Sequence, residues 1–222
     1  TFSAPLLRSQ VPSGKVVLRS RVSFRVKDGD TPNVYDLSAR TCADGSNMRE
    51  GIDFLTSYSP VGSIDSIRLI VAIAASQNLQ LFILDISNAF QNSIVFDPVE
   101  RVYITIPPFY LEWFTSKWPD YSLPSLNVKD LVIQCLKTIQ GTRDAGHHWY
   151  KLLSSCFIEI GMVRNTYDHR VFLWDWNNER SYLILKTDDI LMASTTDGPY
   201  NYLRSELSKL FDFTCRQGNI LK

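Results

Sequence analysis

The sequence predicts an α+β fold with a mainly antiparallel sheet. Three observations favour this class: an alternating strand-like segment near the start, segments with apolar residues at helical spacing, and two apolar runs around a polar tip. Helices and strands therefore alternate irregularly around hairpins. With 45% hydrophobic and 12% aromatic residues in 222, the chain can form one large domain or two subdomains that share a core.

The first predicted element is a strand over residues 15–27, with one basic and one apolar face. The odd-numbered positions include the basic residues Arg19, Arg21, Arg25 and Lys27, and the even-numbered positions include the apolar residues Leu18, Val22, Phe24 and Val26. Asp28-Gly29 predicts a hairpin turn, and residues 33–40 the returning strand. No acidic residue precedes Asp28, so the basic face is either a solvated edge protected by charge or a surface that touches phosphates.

The next elements alternate between helix and strand. Ser63 is a candidate N-cap, with Asp65 in the first turn, for a helix that runs to about Gln77. Its core-facing residues at helical spacing are Ile67, Ile70, Val71 and Ala74. Residues 81–86 predict a strand, and the Pro107-Pro108 segment with the aromatic residues up to Pro119 predicts an irregular connection. A strand over 131–135, a helix over 146–160, a hairpin of 182–185 with 190–193 and a helix over 201–210 follow.

Charge and cysteine content limit the classes of protein. The net charge is zero, so any nucleic-acid interaction would depend on a local basic patch. The four cysteines form no CxxC pair and predict reduced, mostly buried thiols. The longest apolar stretch, residues 69–75, is too short to cross a bilayer, and the first ten residues lack the apolar region of a signal peptide. These features predict a soluble intracellular protein without a membrane partner.

Three aspartates are the candidate catalytic residues. Asp85 directly follows four apolar residues, where a buried carboxylate would need a partner or a cation, although an aspartate at a strand end also often caps a helix. Asp188 and Asp189 repel each other between two apolar runs, although aspartate also favours turns. Carboxylates from two separate strands suit Mg²⁺, and such a site fits two-metal phosphoryl transfer.

Six segments in order resemble the reverse transcriptase domain of copia-type LTR retrotransposons. They are GIDFLTSYSPV, IDSIRLIVAIAAS, LFILDISNAF, VYITIPPFY, GTRDAGHHWY and LKTDDILMAS, and the resemblance runs from about Val11 to the end of the chain. It implies the fingers (about 11–80 and 103–150) and palm (about 81–102 and 151–222) of an RNA-directed DNA polymerase. The thumb, RNase H and integrase would then lie elsewhere in a Pol polyprotein, and the template–primer and dNTPs would be partners.

The resemblance also implies roles for individual residues. Asp85, Asp188 and Asp189 would be catalytic and, with the Ile86 carbonyl, would hold two Mg²⁺ ions, with Mn²⁺ as a substitute. The implied nucleotide-binding residues are Arg40, Phe90 as a steric gate against ribose, Gln140 and Gly141. The expected nucleic-acid-binding residues are Arg19, Arg21, Arg25 and Lys27 of the basic strand, together with Arg143. For Phe90, a core packing role is the alternative. The implied location is a cytoplasmic virus-like particle or the nucleus.

The sequence departs from the family pattern at five positions. Lys186-Thr187 replaces an aromatic and an aliphatic residue before the aspartate pair, and Ser38, Gly146 and His147 replace a lysine, a proline and an arginine. His147, His148 and His169 are not expected to bind zinc together, because adjacent histidines point apart on a helix. Two other functions remain as alternatives: an inactive transposon-derived relic that binds nucleic acid or protein, and another palm-type phosphotransferase such as a cyclase.

Overall fold

A computed structural model describes residues 1–28, 35–93, 100–125 and 127–217, with the backbone alone for 27–28, 35–36 and 213–217. In chain order its elements are β1 (Leu6–Leu7), β2 (Val17–Leu18), β3 (Ser20–Asp28), β4 (Tyr35–Ala43), α1 (Ile64–Gln77), β5 (Gln80–Ile86), α2 (Ala89–Asn92), β6 (Val102–Thr105), α3 (Tyr110–Lys117), β7 (Leu131–Cys135), α4 (Ala145–Glu159), β8 (Val163–Arg164), β9 (Val171–Trp176), β10 (Glu179–Lys186), β11 (Asp189–Ser194), α5 (Gly198–Ser208) and β12 (Phe213–Gln217). The predicted α+β class is confirmed.

The chain divides into two compact units. The first contains Thr1–Ser57 and Ser93–His148, and the second contains Tyr58–Asn92 and the chain from Trp149 onwards. The first unit has a mixed four-stranded sheet in the order β1-β7-β6-β2, in which β2 and β6 are parallel. Its core includes Leu18, Ile104, Ile133 and Ile139, all at most 2% exposed. Each unit therefore buries an apolar cluster of its own.

The predicted N-terminal hairpin is confirmed as a two-stranded antiparallel ribbon, β3 with β4. The predicted strand over residues 15–27 is divided, because Val17 and Leu18 form β2 and pair with β6, and the ribbon begins at Ser20. Its pairing runs from Ser20 opposite Ala43 to Asp28 opposite Tyr35, and Gly29 of the predicted turn lies outside the described residues. The predicted apolar face of the ribbon is largely exposed to solvent beyond Val22. Phe24 and Val26 are 67% and 65% exposed, because the ribbon pairs with no further strand in the described chain.

The prediction of an irregular connection after Pro107-Pro108 is wrong, because the aromatic residues there form the helix α3. Phe109 is the N-cap residue and has a left-handed φ of 62°. Both prolines lie before the N-cap, so neither interrupts the hydrogen bonds of the helix. Tyr110 and Phe114, one helical turn apart, have ring centroids 6.0 Å apart. Phe114 is buried and also contacts Trp118 at 4.8 Å. Aromatic packing thus stabilises a short helix whose sequence lacks a side-chain N-cap.

The second unit is a six-stranded antiparallel sheet in the order β12-β5-β11-β10-β9-β8. Because side chains alternate along a strand, its two faces carry different clusters. Ile70 and Ala74 of α1 pack with Leu81, Ile184 and Ala193 on one face. On the other face, α4 from Trp149 onwards and α5 cover a larger cluster that includes Leu84, Ile86, Ile190 and Met192. The predicted strand over 81–86, the helices and the hairpin are confirmed with small shifts at their ends.

The start of α1 is fixed by side-chain hydrogen bonds. The predicted N-cap is confirmed, since Ser63 Oγ accepts a hydrogen bond from Ser66 N at 2.9 Å. Asp168 accepts further bonds from Ser63 N at 3.1 Å and Ser66 Oγ at 2.6 Å. Burial alone would raise the pKa of Asp168, but these bonds, another from Arg170 and the charge of Arg170 together lower it. Asp168 therefore holds the first turn of α1 against the sheet as a carboxylate.

Candidate active site

Strand register places two of the three candidate aspartates side by side. Asp85 of β5 lies directly opposite Asp189 of β11, and Asp189 lies directly opposite Lys186 of β10. Residues opposite each other in an antiparallel pair project from the same face, with Cβ atoms roughly 4.5–5.5 Å apart. Lys186, Asp189 and Asp85 therefore form one row across three strands, on the face that α1 covers.

A cavity of about 410 Å³ opens above this row. Its floor is the charged row and the next row of the sheet, formed by Ile184, Leu191 and Ile83. Ile67 of α1 forms part of its wall. The cavity is thus apolar on the side of α1 and charged at the ends of the strands, which would let polar ligands approach the carboxylates.

The aspartates are more accessible than expected for a residue that follows an apolar run. Asp85 and Asp189 are exposed and Asp188 is half-buried, whereas the Asp85 neighbours Leu84 and Ile86 are at most 1% exposed. The alternation along β5 explains the difference, because Asp85 projects from the opposite face to these two residues. The argument that Asp85 is a buried carboxylate is therefore wrong, and the repulsion between neighbouring carboxylates is what a cation would relieve.

The tight turn of the hairpin is held by two hydrogen bonds to its backbone. Thr187 has a left-handed φ of 58°, a conformation rare for a β-branched residue. Its carbonyl accepts a hydrogen bond from Trp149 Nε1 at 2.6 Å, and the Asp188 carbonyl accepts one from Ile86 N at 3.0 Å. The turn is thereby fixed to α4 on one side and to β5 on the other, which places the Asp188 backbone beside the end of β5.

The three aspartates do not form the tightest group of potential ligands. Among the described residues, the three whose ligand atoms all lie within 4.8 Å of one another are Glu100, Asp144 and His148. Register pairs Asp85 with Asp189, and the Ile86 hydrogen bond brings the Asp188 backbone to the same strand. Glu100 and Asp144 were not among the residues predicted from the sequence to bind a metal. The spacing of Asp144 and His148 on one helical turn was the available signal, but nothing local relates either to Glu100.

Phe90 lies in the short helix α2, four residues after Ile86. It is half-buried and packs against the cluster that contains Ile86 and Trp149. Ile86 itself is 1% exposed, and its backbone pairs with β12 at Phe213. A half-buried ring agrees with a packing residue and with a ring that also presents an edge to a ligand, so both interpretations of Phe90 remain.

The predicted nucleotide-binding segment around Gln140 lies in the first unit and has a structural role there. The Gln140 carbonyl accepts a hydrogen bond from Ala43 N at 2.8 Å, and the Gly141 carbonyl accepts one from Gly45 N at 3.1 Å. Gly141 has a φ of 96°, and a Cβ there would lie 2.0 Å from the Ala43 carbonyl oxygen. This close backbone approach explains why residue 141 is glycine.

Arg143 follows the same segment and contacts the backbone of the next loop. Its Nε donates to the Gly45 carbonyl at 3.1 Å, and its Nη2 donates to the Ser46 carbonyl at 2.9 Å. These two bonds tie the segment before α4 to the loop after β4. The sequence predicts a nucleic-acid contact for Arg143, and its bonds to the backbone of the neighbouring loop could not be read from local pattern.

The basic residues of the ribbon share one face. Arg21, Ser23 and Arg25 of β3 are two positions apart and therefore project from the same face of the ribbon. Arg40 of β4 lies opposite Ser23, so its side chain projects from that face as well. All three arginines are exposed, as is Arg19 just before β3, while the Lys27 side chain lies outside the described atoms. Asp44 lies 3.8 Å from Arg21. Hydrogen bonds from Ser46, then the charges of Arg21 and Arg19, lower the Asp44 pKa.

The remaining sequence features concern thiols and membrane segments. Cys135 and Cys156 are buried, Cys42 is half-buried, and all three are free. Burial raises the pKa of Cys135 to about 12. No helix in the described ranges is both long and apolar enough to span a membrane.

Comparison with known proteins shows which proteins this chain is similar to. A family model described as "Reverse transcriptase (RNA-dependent DNA polymerase)" matches residues 8–217. The Retrovirus-related Pol polyprotein from transposon TNT 1-94 of Nicotiana tabacum is 30% identical over 206 residues, 91% of this chain and 14% of the relative. The corresponding polyprotein from transposon RE2 of Arabidopsis thaliana is 26% identical over 200 residues, 90% of this chain and 13% of the relative. The chain thus spans about one seventh of these curated relatives.

Proposed function

The chain belongs to the reverse transcriptase (RNA-dependent DNA polymerase) family, and on this premise we propose that it is the polymerase module of a retrotransposon Pol polyprotein. It would extend a primer with dNTPs on an RNA or DNA template. The observation that carries the proposal is the pairing of Asp85 with Asp189 beside the tight turn that contains Asp188. The names of the plant relatives support the same assignment.

The proposed fingers comprise about 11–80 and 103–150, and the proposed palm about 81–102 and 151–222. The antiparallel sheet of the second unit supports the palm assignment, since it carries all three aspartates. The thumb, RNase H and integrase of a longer Pol polyprotein would be the partners of this module.

The donor set of the site fits two Mg²⁺ ions, or Mn²⁺ in their place. Asp85 and Asp189 offer exposed carboxylates in one row, and Asp188 and the Ile86 carbonyl lie at the adjoining turn and strand end. Hard oxygen ligands of this kind suit magnesium. When bound, such ions lower the pKa of the attacking hydroxyl and stabilise the charge on the leaving pyrophosphate.

The reaction is a nucleotidyl transfer. The primer 3′-hydroxyl releases its proton to solvent and its oxygen forms a bond to the α-phosphorus of the dNTP. The bond from that phosphorus to the bridging oxygen breaks, and pyrophosphate leaves with its electron pair. Asp85, Asp188 and Asp189 would fix the position of the reacting groups, which supplies much of the rate in such reactions. Phe90 would exclude a ribose 2′-hydroxyl, and Arg40, Gln140 and Gly141 would contact the nucleotide. The exposed arginines of the β3–β4 ribbon would contact template phosphates, as Arg143 would with its remaining donors.

Primer extension on an RNA template tests the proposal, with this chain and with a longer chain that includes the thumb. Asp189→Asn removes one ligand charge and should abolish extension, because the carboxylate that holds the cation is lost. The matched control is Asp120→Asn, which removes the same charge from an exposed position outside the site and should extend as the wild type does. Extension by Asp189→Asn at the wild-type rate would contradict the mechanism.

The same assay distinguishes an active polymerase module from the alternative, an inactive transposon-derived relic. Such a protein would bind the template–primer but incorporate no nucleotide, in the longer chain as well as in this one.

A further inference from the structure

Three potential metal ligands meet in the first unit, at residues to which the proposed polymerase chemistry gives no role. Glu100 lies two residues before β6, Asp144 immediately precedes α4, and His148 lies in the first turn of α4. One ligand atom from each lies within 4.8 Å of the others. His148 Nε2 is 3.4 Å from Glu100 Oε2 and 3.4 Å from Asp144 Oδ2. The cluster therefore joins two segments that are 44 positions apart along the chain.

The two carboxylates of this cluster are deeply buried. Asp144 is 1% exposed and Glu100 is 6% exposed, and 10% of the His148 side chain is exposed. Within the described part of the chain, neither carboxylate oxygen of Asp144 accepts a hydrogen bond. Burial of a charge is unfavourable unless the charge is paired and hydrogen-bonded, and here two like charges are also adjacent. A positive charge at the centre of the cluster would relieve both costs.

The distances favour a metal ion over a protonated histidine. A charge-assisted hydrogen bond from an imidazolium to a carboxylate is about 2.7–2.9 Å long, clearly shorter than the two 3.4 Å separations. Zinc lies about 2.0–2.2 Å from histidine nitrogen and carboxylate oxygen, and tetrahedral angles place such ligand atoms roughly 3.3–3.5 Å apart. Both 3.4 Å separations fall in this range.

We propose that Glu100, Asp144 and His148 bind a divalent transition-metal ion, with Zn²⁺ as the preferred ion. An imidazole among carboxylates suits zinc and its neighbours in the first transition row, whereas Mg²⁺ prefers an all-oxygen octahedral shell. The ion would tie the segment before β6 to the beginning of α4, and so stabilise the first unit. This site shares no residue with the proposed magnesium site.

The first test measures metal binding by the unmodified chain after treatment with EDTA and dialysis. We expect one equivalent of Zn²⁺ to bind, and a free Zn²⁺ concentration 100-fold above Kd should raise the folding constant about 100-fold. That change corresponds to a rise in Tm of about 5–10 °C. Mg²⁺ at the same concentration should leave this transition in place. Added Co²⁺ should give the visible d–d absorption of a four-coordinate site. Absence of both the Tm rise and the Co²⁺ absorption would overturn the proposal.

The second test uses variants that keep side-chain volume. Glu100→Gln and Asp144→Asn each remove a ligand charge, and we expect a loss of at least about 100-fold in Zn²⁺ affinity, since even groups behind the ligands contribute 10–100-fold. His147→Gln removes the adjacent histidine, which lies outside the cluster, and should bind as the wild type does. Wild-type affinity in both carboxylate variants would refute the site. An equal loss in His147→Gln would instead assign the binding to the adjacent histidines His147 and His148.

If either carboxylate variant fails to fold, the Co²⁺ spectrum of the wild type decides the question without it. Asp189→Asn separates this proposal from the polymerase assignment. That variant should lose primer extension and keep the Zn²⁺ response, so one proposal can fail while the other stands.

Discussion

Lys186 provides a direct test of the charge arrangement at the candidate active site. It lies opposite Asp189 and in the same row as Asp85. An ammonium group in this row would offset the repulsion between the two carboxylates and would also repel a cation bound between them. Lys186→Gln should therefore bind Mg²⁺ more tightly than the wild type does.

The expected size of this effect follows from the geometry of the row. Lys186 is exposed, and its neighbouring strand positions place its ammonium group roughly 8 Å from an ion between Asp189 and Asp85. In water, a single and a double charge at that distance repel by about 1 kcal/mol. Physiological salt reduces this to less than half, because the Debye length is about 8 Å. The Mg²⁺ Kd should fall by about two- to fivefold, with the larger change at low salt.

The assay is calorimetric titration of Mg²⁺ into the wild type and the variant at low and high KCl. The matched control is Lys151→Gln, which removes the same charge from an exposed position on α4, across the sheet from the row. In the absence of metal, Lys186→Gln should be slightly less stable, because a cross-strand pair of opposite charges contributes roughly 0.2–1 kcal/mol. An unchanged Kd at low salt, or an equal change in Lys151→Gln, would refute the reasoning.

Three further predictions concern other parts of the chain. Replacement of Arg21 and Arg25 by Ala should reduce the slope of log affinity against log salt for a template–primer by about 2, since each lost phosphate contact removes about one unit; an unchanged slope would mean that this face is only solvated. Phe90→Ala should lower the ratio of kcat/KM for dGTP over GTP by about two orders of magnitude, equivalent to about 3 kcal/mol; a constant ratio with a loss of stability would make Phe90 a packing residue. Burial, and then the charge of Asp144, raise the pKa of the Cys135 thiol from 9.0 to about 12. The unfolded chain therefore loses this proton at lower pH than the folded chain does. The free energy of unfolding should fall as pH rises from about 9 to 12. Cys135→Ala should remove that part of the fall in alkaline urea titrations, and an identical pH profile would contradict it.

The sequence alone identified those elements whose signals are local. The N-cap and apolar spacing of α1, the apolar run of β5 and the paired runs of β10 and β11 each depend on neighbouring residues, and each was found at nearly the right bounds. The helix α3 was missed because two prolines and a run of aromatic residues have no clear period. The helix is stabilised by ring contacts with residues outside it, such as the contact of Phe114 with Tyr121.

The tertiary structure alone decided how these elements meet. The sequence placed Asp85 at a strand end and Asp188-Asp189 at a hairpin tip, but only the register showed that Asp85 faces Asp189 and that Lys186 joins their row. A shift of one residue would have put these side chains on opposite faces of the sheet. Likewise, Glu100 meets Asp144 and His148 only after folding, because no local periodicity relates residues 44 positions apart. Short sequence patterns determine where single helices, strands and turns form. The position of one charged group relative to another depends instead on strand pairing and on packing between distant segments.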